Sequence, residues 1–237
     1  MDAKLNSLSI FFPFWNEEKN IDRVVEEAIP IAKSIADRWE IILVDDGSRD
    51  KTLQKANALS EKYKNVRVVS HTPNRGYGAA LAAGFTHAKY DYIVFTDGDG
   101  QFDFSEVRRF IEKIGKNDIV IGYREKRQDS FERTLLMTLL KIWDYMFFRF
   151  YFLDIDCGFK MFKKEAVEAM MPFRSEGAMI TTEILAKAAK KKLKVAQVGV
   201  THYPRKFGVQ SGAHMSVVVR AVFETFILWW DIKNARF

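Results

Sequence analysis

Two kinds of apolar pattern alternate along the first half of this chain. Leu8–Phe12, Glu40–Val44, Val66–Val69, Tyr92–Thr96 and Asp118–Gly122 are short and dense in apolar residues, with the length and side-chain type of buried strands. Between them, apolar positions recur every three or four residues. Asn16-Glu17-Glu18 opens such a segment through Ile21, Val24, Val25 and Ala28, with an Asn cap and acids in the first turn. Others start at about Lys51, with Asp50 as N-cap, and run over Ala79–Ala88 and Val107–Ile114. Pro13 is expected to end the first strand, and Pro30 to kink or split the first helix. Strands alternating with helices over short connections predict an α/β fold: a mostly parallel mixed sheet with helices on both faces.

The pattern changes after Tyr123. Phe131–Phe152 reads as one long helix with an apolar stripe through Leu135, Leu136, Leu139, Leu140, Trp143, Met146, Phe147 and Phe150. Packing on the sheet and lying in a membrane interface both suit such a helix. Asp156–Phe162 is an extended segment returning to the sheet, Thr181–Lys191 a helix, Leu193–Val200 a strand and Thr201–Gly212 a polar loop. From Met215 to Trp230 a second amphipathic stretch follows, again a candidate for an interface. The expected organisation is one domain over residues 1–212, containing the helix at about 131–152, and a C-terminal amphipathic helix over 213–237.

With 237 residues, 48% of them hydrophobic and 29% charged, the chain suits one ordinary globular core rather than disorder. One cysteine, Cys157, excludes a disulfide framework within the chain and fits a reducing compartment. No secretory leader pattern opens the sequence, and no apolar run approaches the ~18–20 residues of a spanning helix. The net charge of +6, with basic clusters at Arg124–Arg127 and Lys187–Lys194, suits an anionic partner or simply solvated helix faces. No nucleic-acid-binding module is recognisable, so none is expected as a partner.

The acidic turns change the picture. Pro13–Glu17, Asp45-Asp46-Gly47-Ser48 and Asp97-Gly98-Asp99-Gly100-Gln101 each follow a predicted strand, so all three belong at strand carboxyl ends, where open parallel sheets bind ligands. Two carboxylates on a glycine-rich turn suit a divalent cation that keeps positions open for phosphate oxygens, as well as a plain polar turn with a helix cap. Gly76 and Gly78 lack the third glycine of a dinucleotide fingerprint and read as a tight turn.

Taken in order, these segments resemble a family 2 glycosyltransferase of the GT-A (Rossmann-like) fold, in the branch of dolichyl- and polyprenyl-phosphate sugar synthases. The likeness rests on Pro13–Glu17, Val44–Ser48 with Asp50 and Thr52, Asn74–Gly78, Asp97–Gln101, Ile121–Arg124, Asp156 with Gly158-Phe159, Glu183, and Arg205 with Gly208 and Ser211. It implies that Pro13, Trp15, Glu17 and Asp46 hold the nucleoside of a sugar nucleotide, helped by Asp45, with Gly98 and Ser211 in the same donor-binding set. It also implies a divalent cation, Mg²⁺ or Mn²⁺, placed by Asp97, Asp99 and Gln101. Arg124 and Arg133 resemble the pair that grips an acceptor phosphate, and Arg205 would reach the donor diphosphate. The implied activity is inverting transfer of a hexose from GDP-mannose or a UDP-sugar to a polyprenyl or dolichyl phosphate, by a protein peripheral on the cytoplasmic face of a membrane. Gly122-Tyr123-Arg124 stands where relatives have Gly-Ser-Arg, and Met137 and Cys157 where they often have serine. The alternatives are a saccharide or other soluble hydroxyl acceptor, for which Glu183 is the candidate base, and a non-catalytic sugar-nucleotide binder.

Overall fold

The computed structural model describes residues 4–125, 145–148, 150–207 and 215–234, with 215–223 described as backbone alone. The elements are β1 (Leu5–Phe14), α1 (Ile21–Ile35), β2 (Ala36–Asp45), α2 (Thr52–Lys62), β3 (Val66–Ser70), α3 (Tyr77–His87) and β4 (Tyr92–Thr96). A short 3₁₀ turn (Phe104–Glu106) leads into α4 (Val107–Ile114), followed by β5 (Ile119–Arg124), β6 (Phe159–Lys163), α5 (Lys164–Met170), α6 (Ile180–Lys190), β7 (Val195–Val200) and α7 (Met215–Lys233).

The seven strands form one sheet in the order β3-β2-β1-β4-β6-β5-β7. Only β6 runs antiparallel, wedged between β4 and β5, so the expected mixed, mostly parallel sheet is what forms. Both faces are covered. Ile10, Phe12, Val25, Phe110 and Phe159 pack on one side, and Phe11, Val44, Phe85, Phe95 and Ile184 on the other. Alternation along β1 sends Phe11 and Phe12 to opposite cores, which is why the strand reads as a continuous apolar run rather than an alternating one.

Several boundaries differ from expectation for local reasons. β1 runs through Pro13 to Phe14, opposite Val44 and Asp45. The Phe14 carbonyl accepts from Asp46 N–H on the β2 side. By alternation, the nitrogen of Pro13 faces β4, whose pairing has already stopped at Phe11. No ladder bond is lost. Pro30 lies on the exposed side of an unbroken α1, where the carbonyl it leaves unbonded meets water. α1 begins at Ile21 rather than near Asn16, which sits in the left-handed region at φ 57°. Helix α5 was not anticipated. Within the long helix expected at 131–152, Tyr145–Phe148 is helical and Phe150–Phe152 is not; residues 131–144 lie outside those described.

α7 lies against α6 through buried Thr225 and Leu228. Thr225 Oγ1 is 3.9 Å from Met179 Sδ, and Arg174 Nη1 is 3.1 Å from Asp231. Phe226, Ile227 and Trp230 on the same helix are exposed. Among the described residues no helix is long and apolar enough to cross a membrane.

Candidate active site

The carboxyl ends of β1, β2 and β4 bring the three acidic turns to one rim, and hydrogen bonds lace two of them together. Asn16 N–H donates to Ser48 Oγ at 2.9 Å, Glu17 N–H to Thr52 Oγ1 at 2.8 Å and Glu18 N–H to Asp50 at 3.2 Å, while Arg49 N–H donates back to Asn16 Oδ1 at 2.7 Å. Lys51, not Asp50 as expected, holds the N-cap position of α2; Asp50, one residue earlier, still accepts from Thr52 N–H at 2.9 Å and braces a neighbouring loop as well. The turn after β4 packs on Phe14, where a Cβ at Gly98 would come within 2.3 Å of the ring.

At the centre of this rim, Arg205 bridges two carboxylates, donating from Nη1 to Glu17 Oε1 at 3.0 Å and from Nη2 to Asp99 Oδ2 at 2.8 Å. Asn20 Nδ2 holds the other oxygen of Glu17 at 2.6 Å. Burial is the largest influence on Glu17 and raises its pKa, against the lowering effects of Asn20 and Arg205. Asp99 Oδ1 accepts from Gln101 N–H at 3.0 Å. Gln101 Nε2 donates to the Tyr203 carbonyl at 2.8 Å, and Tyr203 N–H returns a bond to the Gln101 carbonyl at 2.8 Å. With the Phe102–His202 bridge, these bonds fasten the segment carrying Arg205 to the acidic turn.

Asp97 sits deeper. Tyr77 Oη donates to its Oδ1 at 2.8 Å, and its own N–H donates to the Gly158 carbonyl at 3.0 Å. Loss of solvent, then the neighbouring charge of Asp99, pushes the Asp97 carboxyl up to about 7. Burial also lifts the Tyr77 hydroxyl well above its ordinary value. Behind this pair is a fully buried lysine, Lys160, whose ammonium donates to the carbonyls of Ile155, at 3.0 Å, and Cys157. Desolvation lowers the Lys160 pKa and raises that of the Cys157 thiol to about 12.

Other expected site residues have partners of their own. The Asp46 carboxylate accepts from Gly76 N–H at 2.7 Å, Asn74 Nδ2 at 2.8 Å and Arg75 N–H at 3.0 Å, and lies 3.1 Å from His71 Nδ1. It thus anchors the loop before α3. Asp45 is 1% exposed, and while its Oδ2 accepts from Ser48 N–H at 3.3 Å, its Oδ1 has no hydrogen-bond partner among the described residues. Pro13 is buried in β1, and Trp15 is exposed just beyond it. Arg124 forms a two-point pair with Asp154, at 2.6 Å from Nε and 2.8 Å from Nη2. Burial opposes the charge on Arg124, but Asp154 prevails and holds its pKa above the ordinary value. Glu183 accepts from Arg174 N–H at 3.0 Å and Ser175 N–H at 2.7 Å, and pairs with buried Lys187 at 2.7 Å. Arg133, Gly208 and Ser211 lie outside the described residues.

Sequence reasoning missed Tyr77, Asn20, Asp154 and Lys160. Tyr77 lies within the Asn74–Gly78 segment, where no role was assigned to it, and Asn20 lies just past Pro13–Glu17, so membership of or proximity to those motifs was the available signal. For Lys160, a lysine inside the apolar run Phe159–Phe162 was a signal of its own, since a buried ammonium requires dedicated acceptors. Among the described residues no three His, Cys, Asp or Glu side chains converge as a metal cage.

Residues 9–170 match the family described as Glycosyl transferase family 2. The dolichyl-phosphate beta-glucosyltransferase of Saccharomyces cerevisiae is 29% identical over 223 residues, covering 82% of this chain and 66% of that protein. The undecaprenyl-phosphate 4-deoxy-4-formamido-L-arabinose transferase of Pectobacterium atrosepticum is 28% identical over 216 residues, covering 90% of this chain and 65% of that protein. The chain thus spans slightly less than two thirds of either relative. Among solved structures, glucosyl-3-phosphoglycerate synthase from Mycobacterium tuberculosis, in complex with Mn²⁺, UDP and glucosyl-3-phosphoglycerate, superposes with a TM-score of 0.68 at 21% identity. That superposition covers 94% of this chain and 80% of the other, and the shared architecture is the GT-A fold. The sheet order, the acidic rim and the match over most of its length agree: this chain belongs to glycosyl transferase family 2.

Proposed function

We propose that the protein is a metal-dependent inverting hexosyltransferase that moves a sugar from a nucleoside diphosphate to a polyprenyl or dolichyl phosphate at a membrane surface. The observation that carries this reading is the meeting of Glu17, Asp97, Asp99 and Arg205 at one rim. Asp45 Oδ1, buried and without a partner among the described residues, is an acceptor suited to a ring N–H of uracil or guanine. Trp15, next to the Phe14–Asp45 register pair, offers an exposed ring beside it. Asp97 and Asp99 supply hard oxygen donors of the kind Mg²⁺ or Mn²⁺ takes while keeping positions for phosphate oxygens. Such a cation, when bound, stabilises charge on a leaving diphosphate. Arg205 rests between Glu17 and Asp99 and is a guanidinium placed to take up that diphosphate.

On the acceptor side, a lipid phosphate is already anionic near neutral pH, its second pKa being ~6, so no general base is required. Arg124, oriented by Asp154 with Nη1 outside that pair, is suited to grip the phosphate together with Arg133. Glu183, the candidate base for a hydroxyl acceptor, is occupied by two backbone amides and Lys187, which favours the phosphate acceptor. An exposed apolar surface adjoins this side. Tyr151 and Leu153 lead into Asp154, and Tyr145, Met146, Phe226, Ile227 and Trp230 are also exposed. Phe147 joins the two segments by packing 5.2 Å from Phe226. Amphipathic segments of this type bind membrane interfaces. The named substrates of the yeast and Pectobacterium relatives, polyprenyl-type phosphates, support the same acceptor class.

The test is transfer of labelled hexose from UDP- and GDP-sugars, with Mn²⁺ or Mg²⁺ and with or without a short polyprenyl phosphate. Label entering the organic phase only when metal and lipid are both present is expected. Transfer to a soluble hydroxyl acceptor instead, or none to the lipid, overturns the acceptor assignment.

A further inference from the structure

Asp97 is held from two sides. Its carboxylate lies over the bare Cα of Gly158, where a Cβ would stand 2.0 Å from Oδ2. On the other side is the hydroxyl of Tyr77, the first residue of α3, at 2.8 Å from Oδ1. Tyr77 is itself fixed. Its ring packs on the Phe11–Phe85 core. The turn before it is tied to the Asp46 carboxylate by Gly76 N–H at 2.7 Å, and the next residue, Gly78, donates to the Glu176 carbonyl at 2.8 Å. A Cβ on Gly78 would stand 2.1 Å from the Ser175 carbonyl oxygen, so the start of α3 is in close contact with that loop. The hydroxyl is therefore presented by a packed helix end, braced from two other parts of the chain.

We propose that Tyr77 is a positioning residue for Asp97, its hydroxyl holding the carboxylate in the one orientation in which it receives the donor's divalent cation. This rests on the reading of Asp97 as a cation ligand given above. The chemistry is that of a charge-assisted hydrogen bond with a pre-ordered donor: it restricts the carboxylate's rotation before the ligand arrives, so less order must be created on binding. A hydroxyl that merely satisfied its own hydrogen-bonding need would affect the fold without acting selectively on the cation.

Tyr77→Phe in the full chain separates these roles, because it keeps the ring and removes only the hydroxyl. UDP and GDP binding is titrated calorimetrically with Mn²⁺ and again with EDTA, alongside thermal unfolding of the metal-free protein. In the wild type, Mn²⁺ tightens nucleotide binding. In Tyr77→Phe that gain shrinks roughly tenfold or more, while EDTA affinity stays near wild type and metal-free melting falls only by the loss of one buried hydrogen bond. An undiminished Mn²⁺ gain in the variant overturns the proposal, as does an equal loss of affinity with and without metal. If Mn²⁺ gives the wild type itself no gain, the cation reading of Asp97 fails and the role of Tyr77 falls with it.

Discussion

At the scale of single residues, the environment of Asp97 turns its protonation into a measurable property. Its carboxyl is raised to about 7, first by lost solvation and then by Asp99, whereas an unfolded aspartate titrates at about 3.9. Its contribution to the stability of the metal-free fold is therefore fully present below about pH 4 and is lost as pH rises through about 7. A divalent cation requires the ionised form, so its binding runs the other way with pH. The Mn²⁺-induced rise in melting temperature should grow between about pH 6 and about pH 8, with proton release near neutrality visible as a buffer-dependent binding enthalpy. A metal effect flat across that range would contradict the assignment. Gly158→Ala tests the other side of the carboxylate: its Cβ would stand 2.0 Å from Asp97 Oδ2. Overpacking of this kind costs about 1–3 kcal/mol, read as a lower denaturant midpoint, and the Mn²⁺ effect should disappear with it.

At the scale of elements, several acids hold backbone amides of other segments. Asp46 closes the loop before α3, and Glu183 closes the turn before α6 while pairing with Lys187, both side chains being almost fully buried. Breaking a buried pair strands the remaining charge, so Glu183→Gln should destabilise the fold by about 3–5 kcal/mol in urea melts. A large fall in turnover with unchanged stability would instead restore Glu183 as a base. Arg124 follows the same logic, since Asp154 on the approach to β6 sets its direction. Each case was ambiguous in one dimension because an acid near a helix start has several local uses. The choice between them depends on which amides of another segment lie within reach.

For the whole molecule, the exposed apolar side chains of α7 and residues 145–153 are the feature that a single packed domain leaves unexplained. Replacing both Ile227 and Trp230, exposed on α7, with serine should change the unfolding free energy little, within about 0.5 kcal/mol per exposed site. Co-sedimentation with anionic vesicles should fall several-fold, and retention of full vesicle binding would argue against this face as the membrane contact. By itself the sequence determined the strands, most of the helices and the placing of three acidic turns at strand ends. Those features follow from local periodicity and from the rule that parallel sheets bind ligands at carboxyl ends. Pro13 and Pro30 misled because their cost depends on which ladder bonds and carbonyls are already free, a matter of neighbouring strands and solvent. Only the tertiary structure decided that Arg205 bridges Glu17 and Asp99, that Tyr77 meets Asp97, and that Asp154 holds Arg124. Those contacts join loops far apart along the chain: the sheet order mixes early and late strands, and the Gln101–Tyr203 and Phe102–His202 bonds bring the segment after β7 to the turn after β4. Hydrophobic periodicity records which face of an element is buried but carries no information about what it is buried against.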